Sequence, residues 1–289
     1  MAATEEAPTG GGAQHSKETF HLINAPGDAI HEALTGLTQH HPSLSYAPTH
    51  KIVYRSDLAD FRRDHVTTIG FSGGGHEPMF GGFVGPSFLS AYVSGNIFAS
   101  PTSAQILEAI KLCQPLDDPE SHRHPGTLVV CGNYTGDILN AGLAITRAQA
   151  LGYKVAFVPV GDDVAVGRRK GGKMIDLITN TSDEDRAFVP FTGGATAENP
   201  QRVVLALNSL GSTSDAVLAA FAELAKEELA RKNYVVERVL LGPLVTSLKM
   251  SGVGITVWRL PGDTEKSPLE RGEALELWDG NVDVVAWRQ

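Results

Sequence analysis

Histidine, aspartate and clustered glycines meet at two places in this chain of 289 residues. The first is FSGGGHEPMFGG, residues 71–82, where Gly73, Gly74 and Gly75 precede His76, Glu77 and Pro78. An imidazole titrates near neutral pH and can take or give a proton. Glycines beside it let the backbone turn with positive φ and bring N–H groups against a ligand's oxygens, while proline fixes the turn that follows. The Walker lysine is missing and the GxGxxG spacing of dinucleotide sites is not met, so glycine richness alone does not make this a phosphate loop. On these residues alone, a loop histidine bonded to a glycine carbonyl is the favoured account of His76.

The second place is CGNYTGDILNAG, residues 131–142, directly after the apolar run TLVV. Asp137 then falls beyond the carboxyl end of a strand and near a helix start, where open α/β sheets bind ligands. A helix N-cap is the competing role for this aspartate and carries equal weight on spacing. A third turn, NSLGSTSD at residues 208–215, has the same succession of strand, glycine turn and helix.

The elements that must hold these turns are legible as alternating strands and helices. Apolar, β-branched runs occur at KIVYRS, HVTTIGF, TLVVCG, KVAFVPV, RVVLALNSL, VVERVLLGPL and GITVWRL. Helical spacing lies in the stretch 21–44, closed by Pro42, and in SAQILEAIKLC and ILNAGLAITRAQALG. The longest helical pattern is SDAVLAAFAELAKEELARKN, with Val217, Leu218, Phe221, Leu224 and Ala225 on one face, Ser214 as N-cap, and Glu227 paired with Arg231. This alternation predicts an α/β protein with largely parallel sheets flanked by helices. Residues 1–20 are expected to form a flexible tail, 21–182 an N-terminal α/β domain, 183–201 a linker of turn composition, and 202–289 a smaller C-terminal α/β domain.

Composition narrows the partners. The formal charge is −9 and the isoelectric point near 5.6. No basic cluster exceeds the RRK run at residues 168–170, which argues against nucleic acid. Cys113 and Cys131 are the two cysteines, without zinc spacing, and suggest a reducing, cytoplasmic setting. The start of the chain is polar and acidic where a targeting peptide is basic and apolar, and no apolar run approaches about 18 residues, so no membrane partner is expected. Metal ligands at workable spacing are lacking. His122 and His124 have no companions, and Gly161–Asp162–Asp163 reads as a turn.

The motifs GGGHEPMFGGFVG, SGNIFASPTSAQILEAI, NYTGDILNAGLA, GDDVAVGRRKGG, LNSLGSTS and VERVLLGPLVTSLKMSGVGITVWRL, taken in this order, resemble the dihydroxyacetone kinase substrate-binding domain. The resemblance runs with one break from about His21 to Trp287. It implies a two-domain α/β fold, a homodimer and a small hydroxyketone ligand. It also places His76 and Asp137 against the ketone as a proton-transfer pair. Around them, the amides of Gly73, Gly74 and Gly75 are candidates to support an enolate oxygen, Asn133, Tyr134 and Thr135 are candidate pocket-lining residues, with Tyr134 as readily packing under the loop, and Lys249 and Met250 are candidates to reach the cleft from the second domain. Cys131 is expected to be buried, and Trp258, Trp278 and Trp287 to pack the C-terminal core or a dimer contact.

Against that pattern, all ten histidines lie at or before His124, so the family's second histidine, which bonds covalently to the ketone carbon, has no counterpart. The family lysine before NYTGD is Gly132, and the segment between GRRKGG and RVVLALNSL is short. Loss of an anchor and a cation enlarges the pocket. Within these residues there is also no helical domain to carry ATP and magnesium. The resulting expectation is an enzyme, without cofactor, that performs acid/base chemistry on a carbonyl or hydroxyketone compound: isomerisation, dehydration, cleavage or cyclisation, with no phosphoryl transfer. Two alternatives stand beside it. One is a degenerate kinase subunit served by a helical phosphoryl-donor protein; the other is a non-catalytic module that senses ligand and contacts a partner.

Overall fold

A computed structural model of the chain describes residues 25–117, 123–160, 195–262 and 269–287. The expected tail, most of the expected linker, and the GDD and RRK runs lie outside them.

Helix α1 (Ala29–His40) is followed by strands β1 (Leu44–Ala47) and β2 (Ile52–Arg55), helix α2 (Leu58–Asp64) and strand β3 (Thr67–Gly74). Strand β4 (Ala91–Ile97), helix α3 (Ser103–Cys113), strand β5 (Thr127–Gly132), helix α4 (Thr135–Ala150) and strand β6 (Val155–Val160) complete a first unit. Its six-stranded sheet runs β1-β2-β4-β3-β5-β6. The four strands from β4 to β6 are mutually parallel, and β1 and β2 join one side antiparallel. The main core lies between the parallel strands and helices α3 and α4, with Ile69, Phe71, Val93, Ile106, Ile110, Val129 and Ala144 fully buried. Helix α3 starts at a capping box, Thr102 with Gln105, which satisfies two orphan donors reciprocally.

The second unit holds β7 (Gln201–Ser209), α5 (Asp215–Arg231), β8 (Tyr234–Gly242), β9 (Val253–Arg259) and α6 (Arg271–Trp278). Its sheet runs β8-β7-β9, with β8 parallel and β9 antiparallel to β7. The largely parallel α/β expectation therefore holds, with antiparallel additions at the edges.

Helix α5 departs from its expected face. Leu218, Ala222, Ala225 and Leu229 form the buried stripe, while Val217 and Leu224 are 55% and 60% exposed. The two alanines let the helix lie close on the sheet, over β7 and β8, and that contact is narrower than the face drawn through Val217 and Leu224. Ser214 occupies the N-cap position without a side-chain cap bond. Arg231 meets Glu228 at 2.9 Å, closer than the anticipated Glu227 at 3.8 Å.

The last described residues turn back to the first unit. The Ala286 N–H donates to the Gly82 carbonyl (2.9 Å), and Val285 packs beside Val53 and Tyr92. The three tryptophans join this return path. Trp258 lies 5.8 Å from Trp278, which is 5.2 Å from Trp287, itself 5.2 Å from Phe88 of the first unit. Among the described residues no helix is long and apolar enough to cross a membrane.

Candidate functional site

His76 lies just past the end of β3, where Gly75 takes φ +93°, a conformation open to glycine and strained for other residues. Close packing explains the neighbouring glycines. A Cβ on Gly73 would lie 2.8 Å from the Ala99 backbone nitrogen, and one on Gly74 would collide with Ile30. The Gly75 N–H does not point at a ligand, because both oxygens of Glu77 accept from it at 3.0 and 3.1 Å. The anion-cradling role considered for the three glycine amides is thus removed at Gly75 while Glu77 holds it.

The imidazole is held by the other unit. His76 Nδ1 lies 2.7 Å from the backbone oxygen of Thr246. A carbonyl can only accept, so Nδ1 carries a proton, and in the neutral ring the free lone pair is on Nε2. Around this contact Thr246 N–H donates to the His76 carbonyl, Leu248 N–H to the Gly75 carbonyl, and the Thr246 hydroxyl to the Glu77 carbonyl (2.7 Å). The histidine does bond a carbonyl, as the structural reading expected, but one from 170 positions away and not from a neighbouring glycine.

Asp137 sits in the first turn of α4, behind the N-cap residue Tyr134, so the N-cap role falls to another residue. Its side chain is buried, and Oδ1 has no hydrogen-bond partner. Burial pushes its carboxyl above the usual carboxylate range; hydrogen bonding to Ser100 and the charge His76 carries when protonated pull it part of the way back. A buried oxygen without a partner is costly unless something supplies a donor, and a bound hydroxyl would do so.

The remaining residues are spread around this pair. Asn133, Tyr134 and Thr135 are exposed, and Asn133 is fixed through its N–H to the Val160 carbonyl. Lys249 and Met250 are exposed just after the 246–248 segment that braces His76. Cys131 is buried with its thiol pushed up to about 12, which removes it as a nucleophile. Ser100, Glu77 and Thr246 act on the pair without having been singled out. Ser100 stood within a quoted motif, SGNIFASPTSAQILEAI, but nothing in that string ties it to Asp137.

The profile of the Dak1 domain matches residues 35–174 and 171–286. The chain belongs to the Dak1 domain family. Dihydroxyacetone kinase 1 of Saccharomyces cerevisiae is 41% identical over 145 residues, half of this chain and 23% of its own length. Dihydroxyacetone kinase 2 of the same yeast is 27% identical over 363 aligned positions, covering 92% of this chain and 58% of its own. That alignment is longer than the chain, as an internal shortening requires. The Homo sapiens triokinase/FMN cyclase is 38% identical over 144 residues, half of this chain and 24% of its own. The chain thus spans between about a quarter and 58% of these relatives.

Two solved structures share the Dak1 fold at 21% identity. One, from work on regulation of the dha operon of Lactococcus lactis, has a TM-score of 0.69 and covers 89% of this chain and 95% of its own. The native dihydroxyacetone kinase of C. freundii has a TM-score of 0.67, over 94% and 60%.

Proposed function

We propose that this Dak1 protein performs acid/base chemistry on a carbonyl or hydroxyketone compound without phosphoryl transfer. The observation that carries the reading is the pairing of a histidine whose Nδ1 is tied to Thr246 with a buried carboxyl whose Oδ1 has no partner. Neutral His76 takes a proton at Nε2 from the carbon beside the carbonyl, and the electron pair moves onto the carbonyl oxygen. Asp137, whose acid form burial favours, supplies a proton or a hydrogen bond to that oxygen. His76, now protonated, gives its proton to the neighbouring, former carbonyl carbon or to a departing group, while a hydroxyl of the enediol or enol returns a proton to Asp137 as the product carbonyl forms. Such general acid/base help is worth about 10²–10⁴ in rate. No step needs the covalent histidine or the lysine, for which the chain has Gly132. A relative whose name joins a kinase to a cyclase supports non-phosphoryl chemistry within this family. A homodimer and a cytoplasmic location belong to the same proposal.

A second reading is favoured by the dha-operon structure, 95% of whose length this chain matches. In it, the cleft binds a hydroxyketone and passes the event to a partner protein, as a sensor or as a subunit served by a phosphoryl donor. The deciding experiment follows deuterium uptake by NMR in dihydroxyacetone and larger hydroxyketones in D₂O, without nucleotide. Exchange lost in both His76→Ala and Asp137→Asn supports the enzyme. Binding with no exchange on any compound overturns it and leaves the second reading.

A further inference from the structure

Strands β4, β3 and β5 are adjacent and parallel, so the loops at their carboxyl ends lie side by side. In that order they carry Phe98, His76 and Tyr134, over a width of roughly 10 Å at ordinary strand spacing. The histidine is therefore flanked by two aromatic residues, and both are turned outward. Phe98 is 55% and Tyr134 64% exposed. Leu248, whose N–H is bonded to Gly75, adds a third apolar side chain that is 54% exposed.

These side chains are held in place. Phe98 and Leu248 both have left-handed backbone, at φ 52° and 54°, a conformation unusual for such residues and found where the surroundings impose it. Phe98 is fixed by its N–H to the Gly74 carbonyl, and its ring lies 5.1 Å from the His76 ring. On the other side, the Tyr134 ring covers Gly132, where an added Cβ would come within 3.1 Å of it. The two loops are packed against each other, since the Ser100 Oγ fills the space beside Gly136, 2.7 Å from where a Cβ would lie.

We infer that Phe98 and Tyr134 form an aromatic rim that stacks a flat ring of the substrate, making the ligand an aryl or heteroaryl carbonyl compound larger than a triose. The inference rests on the acid/base reading for what happens to the carbonyl, but concerns how the rest of the ligand is gripped. With the ring between the two aromatics, the carbonyl end lies over His76 and the hydroxyl meets the unpartnered Oδ1 of Asp137. Ring pairs of this kind are worth up to about tenfold in affinity beyond their buried area.

The test is calorimetric titration of wild type with dihydroxyacetone, α-hydroxyacetophenone and cyclohexyl hydroxymethyl ketone, repeated with Phe98→Ala, Tyr134→Ala and the milder Phe98→Leu and Tyr134→Leu. The aryl ketone is expected to bind about tenfold tighter than the triose and several-fold tighter than the cyclohexyl ketone. Each alanine variant, and each leucine variant to a lesser degree, is expected to bring the aryl-to-triose ratio toward one. Equal affinities in wild type, an unchanged ratio in all four variants, or no binding of any compound would overturn the inference; in the last case the apolar rim is left as a protein contact. Failure of the acid/base reading is separable. Aryl preference without deuterium exchange sinks the chemistry alone, and exchange on dihydroxyacetone without aryl preference sinks the rim alone.

Discussion

His76 and Thr246 stand 170 positions apart in the chain, yet a 2.7 Å hydrogen bond joins the imidazole of one to the backbone oxygen of the other. The second unit thereby chooses which ring nitrogen of a first-unit histidine is free. Because the acceptor is a backbone atom, Thr246→Ala is expected to leave the Nδ1-protonated tautomer in place. It does remove the bond from the Thr246 hydroxyl to the Glu77 carbonyl, a loss of about 0.5–1.5 kcal/mol. Nitrogen chemical shifts of the imidazole and urea denaturation check the two halves. An altered tautomer in this variant would contradict the backbone assignment.

Asp137 is expected to oppose stability at neutral pH. Its folded carboxyl titrates above its unfolded value, so the native state binds the extra proton between the two. Stability therefore falls as pH rises through that window and is fully reduced above it. Asp137→Asn should unfold at higher urea than wild type at pH 7, and the difference should shrink as pH drops below the ordinary carboxylate range. The same variant should lose exchange activity. Equal midpoints at pH 7 would count against a strained carboxylate.

Removing the Ser100 hydroxyl should move the same titration further. Its hydrogen bond holds the Asp137 pKa down against burial, so Ser100→Ala is expected to raise it. The limb of the pH–rate profile that reports Asp137 should shift to higher pH, and Ser100→Thr should restore it. A profile that only drops in height, without moving, would give Ser100 a structural role.

Two glycine substitutions should have opposite signs. A Cβ on Gly95 would sit 1.8 Å from the Ala99 oxygen, forcing the 96–100 loop off the glycine turn at a cost of about 1–3 kcal/mol. Gly142 lies on α4 with open space around it, and Gly142→Ala should stabilise by about 0.5–1 kcal/mol. Thermal melts of both variants decide it; a destabilising Gly142→Ala would mean that this face of α4 is covered.

Both thiols are pushed up to about 12 by burial. Native protein at pH 8 is expected to resist a disulfide exchange reagent and to react at Cys113 and Cys131 only on unfolding. Fast modification of either in the folded state would show a local opening near β5 or α3.

Strands such as β5 and β7 could be read because their apolar, β-branched runs are short and bounded by glycine or proline. Strand β4 could not. Ser94 and Gly95 interrupt it, and it is buried on both faces between β2 and β3, which removes the alternation that marks a half-exposed strand. The same blindness hid Ser100, which sits in the loop after that strand. His76 and Asp137 were legible from residue type and motif together. Thr246 was not, because it acts through a carbonyl that every residue possesses. The face of α5 was misjudged for a different reason: periodicity reports a stripe, but its width depends on how closely two alanines let the helix approach the sheet.

Residue 286 hydrogen-bonds to residue 82, and residue 246 to residue 76. During synthesis at about 5–20 residues per second, the strand that bears His76 emerges long before either of these partners. The β3 sheet and its helices can form early from local contacts, but the tautomer and the brace on the glycine turn must wait for residues 246–248, and the backing of Gly82 for residue 286. His76 is thus made early and braced late, so a chain that stops short of Thr246 carries the histidine without the bond that sets its tautomer.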